Sequence, residues 1–209
     1  MKTQLIIAFL FIGCVFGSFL KPDIDATLGD LSSFNLDDQP QLAYKAKLVN
    51  RYLNGTITPS MESILIVDPV NKVYYSEDPI SSFYFFGNVS YFVIPPYVCQ
   101  MFPDINYDLV NSQFSGLYHS TDLDVNNVVS HQNLKMYNGI IDFTYLPNAV
   151  SVTLDDKGRF LSMVWSGPAD SAQLFDNVLM STYSIYKSAK IGSTGWATLP
   201  NLPAACFQS

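Results

Sequence analysis

Residues 81–97 read SSFYFFGNVSYFVIPPY, two apolar runs separated by Gly87-Asn88. Phe83–Phe86 and Tyr91–Ile94 are built of aromatic and β-branched residues, the composition of strands, and the small pair between them marks a turn. Pro95-Pro96 stops the second run, because proline cannot donate to a ladder. A strand with one wet face alternates apolar and polar residues; these two runs contain no polar residue at all. Either both faces of their sheet are covered, or one face lines a cavity for an apolar ligand. The fold turns on that choice.

Working outward, strand signals continue on both sides. AYKAKLVNRYL (Ala43–Leu53) precedes the Asn54-Gly55 turn, and Ile64–Val67 and Val73–Tyr75 flank Asp68-Pro69-Val70-Asn71, which has turn chemistry. After Cys99 the chain is polar and asparagine-rich through His131. LKMYNGIIDFTYLP holds Asn138-Gly139, a hairpin signal between apolar runs, and AVSVTLDDKGRFLSMVWSG repeats the pattern around DDKG. Ser171–Ala189 is ambiguous: Leu174, Val178 and Ile185 fit one helix face, whereas Thr182–Tyr186 prefer strand. The tail WATLPNLPAACFQS reads as coil. About eight or nine short strands joined by hairpins, with at most one helix, predict a mainly β, antiparallel domain over residues 43–209. No solenoid or propeller repeat is present.

Residues 1–18, MKTQLIIAFLFIGCVFGS, carry Lys2 and an apolar run from Leu5 to Phe16. That length suits a secretory h-region and is short of the roughly 20 residues of a membrane span, so a cleaved signal peptide is expected. An uncleaved anchor, or a lipid-modified Cys14, are the alternatives. Residues 19–42, with five aspartates between Lys21 and Gln41, read as an acidic N-terminal arm. Asn54-Gly55-Thr56 and Asn88-Val89-Ser90 are N-glycosylation sequons, consistent with export to the medium or an endolysosomal lumen. Removing the leader leaves Cys99 and Cys206, an even count that predicts one disulfide in an oxidising compartment. It would close a loop of about 107 residues and contribute on the order of 4 kcal/mol.

The chain has 11 Lys and Arg against 18 Asp and Glu; losing Lys2 leaves 10 against 18 and takes the net charge from −7 to −8. Cations so sparse form no stripe for a phosphate backbone, which argues against nucleic acid. The sequence contains no nucleophile elbow, no Walker or dinucleotide glycine loop, no H-E-x-x-H and no paired C-x-x-C, so no catalytic residue and no cofactor are assigned. A carboxylate-pair hydrolase leaves no local signature and stays an alternative. Asp122, Asp124 and Asn126 begin like an EF-hand loop, but Asn127 replaces the required glycine and Asn133 the glutamate. His119, Asp122 and His131 could share a metal only if the fold gathers them. A solvated polar loop is the simpler reading, with weak calcium binding left open and no metal site assigned.

The order of pieces resembles the ependymin-related family of secreted glycoproteins. The resemblance rests on AKLVNRY, the hairpin ILIVDPVNKVYYS with Asp68, Lys72 and Tyr74, the aromatic pair FYFFGNVSYFVI, and the cysteine in PPYVCQMF. It covers roughly Ala43–Phe102. It implies a curved antiparallel sheet, a half-barrel of the LolA type, around a hydrophobic pocket. The expected function is a secreted, non-enzymatic protein binding a lipid or other apolar ligand. Its pocket would draw on Phe83, Phe85, Tyr91, Phe92, Val93 and Ile94, of which strand alternation admits about half. Tyr137, Ile141, Phe143, Val152, Phe160, Met163 and Trp165 are the candidates from the later strands. The alternative is an extracellular adhesion or matrix glycoprotein with the same aromatics filling its core and no ligand cavity.

Overall fold

The computed structural model describes residues 32–94, 98–119, 125–127, 132–141, 148–167 and 178–207. Chain contacts delimit a packed unit Ser33–Ser209. Its strands are β1 (Leu42–Tyr52), β2 (Met61–Asp68), β3 (Val73–Glu77), β4 (Ser82–Phe85), β5 (Ser90–Ile94), β6 (Val98–Phe102), β7 (Tyr118–His119), β8 (Val125–Asn127), β9 (Gln132–Ile141), β10 (Asn148–Leu154), β11 (Phe160–Ser166) and β12 (Val178–Lys190). They form one curved, open sheet in the order β6-β5-β4-β3-β2-β1-β12-β11-β10-β9-β7, with β8 pairing off β9. Among the described residues the strand pairings are antiparallel throughout, as expected of a chain of hairpins. The mainly β expectation holds. Among the described residues one α-helix, α1 (Tyr107–Phe114), lies against the sheet.

Local chemistry explains the turns. Between β2 and β3, Asp68 accepts from the Asn71 N–H and side chain and from Gln41, so a buried carboxylate closes the turn. Between β10 and β11, Asp155 accepts from the N–H groups of Lys157 and Arg159 and from the Arg159 guanidinium. Burial alone would raise the Asp155 carboxyl, but those hydrogen bonds and the Arg159 charge outweigh it and hold the group below the usual carboxylate range. Gly158 supplies the positive φ of 74° that the turn needs.

One expectation is corrected. Asn138-Gly139 is no turn: both residues lie inside β9, and Gly139 pairs with Val150. The glycine is there for space, since a Cβ on it would stand 2.5 Å from the Gly116 carbonyl oxygen and 3.0 Å from the Leu117 side chain. Gly139→Ala should therefore force backbone apart and cost about 1–3 kcal/mol. A thermal melt checks this; an unchanged midpoint would mean that the 116–117 segment does not press on β9. The ambiguous stretch resolves as strand over its described part, β12. Residues 171–177 lie outside the described residues.

Each face of the sheet buries its own cluster. On the helix face, Tyr107, Val110 and Phe114 of α1 meet Tyr44, Leu65, Val67 and Tyr74 from one half of the sheet and Tyr137, Ile141, Val150, Val152, Leu154, Phe160 and Met163 from the other. Phe34 and Leu36, from the stretch read as the end of the acidic arm, are fully buried in the same cluster. On the opposite face, Ala43, Ile66, Tyr75, Tyr84 and Val93 are covered by the C-terminal tail through Trp196, Ala197, Leu199, Leu202 and Cys206. Cys206 is bonded to Cys99 on β6, the pairing expected from the even cysteine count.

Candidate functional site

Register decides which candidate residues can act together. Tyr74 pairs with Phe85 and Ser76 with Phe83, while Phe83 pairs with Phe92 and Ile94 with Val98. Because side chains alternate, Phe83, Phe85, Phe92, Ile94 and Val98 share the helix face. Tyr91 and Val93 point the other way, into the cluster beneath the tail. The two all-apolar runs are thus explained in large part by two covered faces.

The helix face is not covered to its end. Phe85 packs against the core beside Tyr74, with ring centroids 5.8 Å apart. Beyond it Phe83 stacks on Phe85 and leans on Phe92, whose centroid is 4.6 Å away. Phe83, Ile94 and Val98 keep 39%, 36% and 46% of their surface exposed, a continuous apolar strip running off the core. Burial pushes the Tyr74 and Tyr183 phenols up.

The candidates from the later strands stand elsewhere. Tyr137, Ile141, Val152, Phe160 and Met163 are buried in the helix-face cluster, and Phe34 touches the rings of Tyr137 and Phe160 at 5.4 and 5.8 Å. Trp165 is half-buried, edge-on to Phe114 at 5.9 Å. Phe143 lies outside the described residues. So do Asp122 and His131, two of the three residues that could share a metal only if gathered, while His119 sits on β7 with its ring 5.4 Å from Tyr137. Asn54 and Asn88 both occupy exposed turns, and the Asn54 side chain accepts from the Thr56 N–H.

A notch of about 190 Å³ opens where β12 runs past the start of β11, lined by Asp155, Arg159, Phe160, Ile185, Tyr186 and Lys187 among others. It is smaller than the roughly 300 Å³ and upward of ordinary ligand cavities. Nearby, sequence reasoning missed a gathering of cations: Lys45 and Lys187 are cross-strand partners, and each stands 5.6 Å from the Trp196 ring. Their spacing in the chain hides what the register places together.

Among the described residues no helix is long and apolar enough to cross a membrane. No family model matches the sequence, and no curated protein matches it; the ependymin-related resemblance is left without a matching family model. Among solved structures the chain is similar to an outer membrane lipoprotein-sorting protein domain from Vibrio parahaemolyticus, at 7% identity and a TM-score of 0.34, covering 73% of this chain and 86% of that one.

Proposed function

We propose that the protein is a secreted, non-enzymatic carrier that takes a lipid or other apolar ligand against the strip formed by Phe83, Phe85, Phe92 and Ile94. The observation that carries this reading is the run of aromatic side chains on the helix face that leaves the filled core and stays partly exposed. Soluble proteins seldom leave contiguous apolar surface open without a use for it. An acyl chain laid on these rings would gain roughly 0.8 kcal/mol per buried CH₂. Export is supported by the leader-like N-terminus, the two sequons in exposed turns and the Cys99–Cys206 bridge.

One observation favours the second reading, an adhesion or matrix glycoprotein without a ligand cavity. Five of the expected pocket residues, Tyr137, Ile141, Val152, Phe160 and Met163, are spent on packing. Native mass spectrometry of the glycoprotein from its own secretions, followed by organic extraction, separates the two. Lipid-sized adducts support the carrier; a bare mass, with no uptake of a fluorescent fatty acid afterwards, supports the structural role. Within the carrier reading, Phe83→Ser should weaken fatty-acid binding about tenfold or more, from the lost apolar contact. Ile140→Ser, an exposed apolar residue on β9, should leave it unchanged. Equal effects from both would place the ligand elsewhere.

A further inference from the structure

One end of the sheet is β6, VCQMF, whose inner side pairs with β5 from Ser90↔Phe102 to Ile94↔Val98 without a register shift. In an antiparallel edge strand, alternate residues turn their N–H and C=O groups outward. Among the described residues nothing hydrogen-bonds to the outer side of β6. Natural sheets blunt such an edge with charge, a bulge, an inserted proline or a covering segment. β6 carries no charge and no internal proline; the prolines stand outside it, at positions 95, 96 and 103. Exposed apolar side chains also concentrate here: Val98 and Met101 on β6 itself, Ile94 and Phe83 on the two strands behind it.

We propose that β6 pairs with β6 of a second copy of this chain, antiparallel about a two-fold axis through Gln100. That register uses the whole strand. On the helix face it sets Val98 opposite Phe102 of the second copy on both sides of a central Gln100–Gln100 pair. On the tail face it sets Met101 opposite Cys99. Apolar residues meet apolar ones, the amides meet each other at the axis, and no charge is buried. An arriving strand with charged residues would lose their hydration against this edge; the chain's own VCQMF has none to lose. Pairing joins two sheets into one and brings the Phe83–Phe92–Ile94–Val98 strips of both copies side by side. It does not depend on the strip holding a ligand.

The test uses the full chain after organic extraction, so that it stands apart from the lipid reading. Sedimentation equilibrium should give twice the single-chain mass as concentration rises. Gln100→Lys places like charges directly opposite at the axis and should weaken the dimer at least tenfold. Gln100 is exposed, so the circular dichroism spectrum should not change. Gln100→Cys sets two thiols opposite each other with Cβ atoms roughly 4.5–5.5 Å apart, close to disulfide reach, and should yield a cross-linked dimer on mild oxidation. A single-chain mass at every concentration overturns the proposal. So does a dimer that Gln100→Lys leaves intact and Gln100→Cys fails to cross-link, or an edge that pairs only with a peptide of unrelated sequence.

Discussion

Phe114→Ala should lower the stability of the folded chain by about 3–5 kcal/mol, the range for emptying a buried aromatic site. Phe114 is completely inaccessible and sits where three parts of the protein converge. Its ring centroid lies 5.5 Å from Phe34, 6.0 Å from Tyr74 and 5.9 Å from Trp165. It is the last residue of α1, an eight-residue helix. A helix that short does not hold in water by itself, so burial of its inner face sustains it. Asn106 caps the first turn by accepting from the Leu109 N–H. Asp37 ties Tyr107 and Asn111 to the segment carrying Phe34 and Leu36. Removing the ring should therefore loosen the N-terminal segment and the helix together. Urea denaturation followed by tryptophan fluorescence measures the loss, and Trp165, edge-on to the ring, should report it. Phe114→Leu should recover most of the stability. A loss under about 1 kcal/mol for the alanine variant would mean that α1 is not seated there.

The hairpins of the sheet were legible in the sequence; the helix and the core it seals were not, for physical reasons. Asn106, Asp108 and the spacing of Tyr107, Val110 and Phe114 are ordinary helix signals. They passed unread because the stretch spans barely two turns and its outer face is asparagine, serine and glutamine. The hairpins around Asp68 and Asp155 announced themselves through turn chemistry that depends only on near neighbours. Asn138-Gly139 carries the same local signal with another cause, the passage of the Gly116–Leu117 backbone, which no local rule detects.

The candidate site divides along the same line. Period-2 alternation shows that Phe83, Phe92 and Ile94 oppose Tyr84, Tyr91 and Val93. It does not show which set meets α1, because that follows from the Tyr74↔Phe85 pairing and from where the tail lies. The burial of Tyr137, Ile141, Val152, Phe160 and Met163 was likewise out of reach. What fills the space against them is Phe34 and α1, segments that read as acidic arm and polar linker.

Cys206→Ser should cost about 4 kcal/mol, because cross-linked residues 107 apart restrict the unfolded chain strongly. The effect has a local side as well. The tail from Gly195 to Cys206 makes no ladder with the sheet in the described residues, and two short 3₁₀ turns are its regular structure. Trp196, Leu199 and Leu202 hold it by burial against Ile66, Tyr75, Tyr84 and Val93, and the bridge fixes its far end to β6. Without the bridge that end should fray and become open to protease, while Trp196, clasped between Lys45 and Lys187, stays docked longer. Chemical denaturation of Cys206→Ser, Cys99→Ser and the double variant gives the cycle. If the bridge is the whole effect, the double variant should lose no more than either single one, since each breaks the same bond. A doubled loss would show that the two sulfurs contribute through separate packing. A loss below about 1 kcal/mol would show that the tail covers its face unaided and that the long loop is already restrained in the unfolded chain.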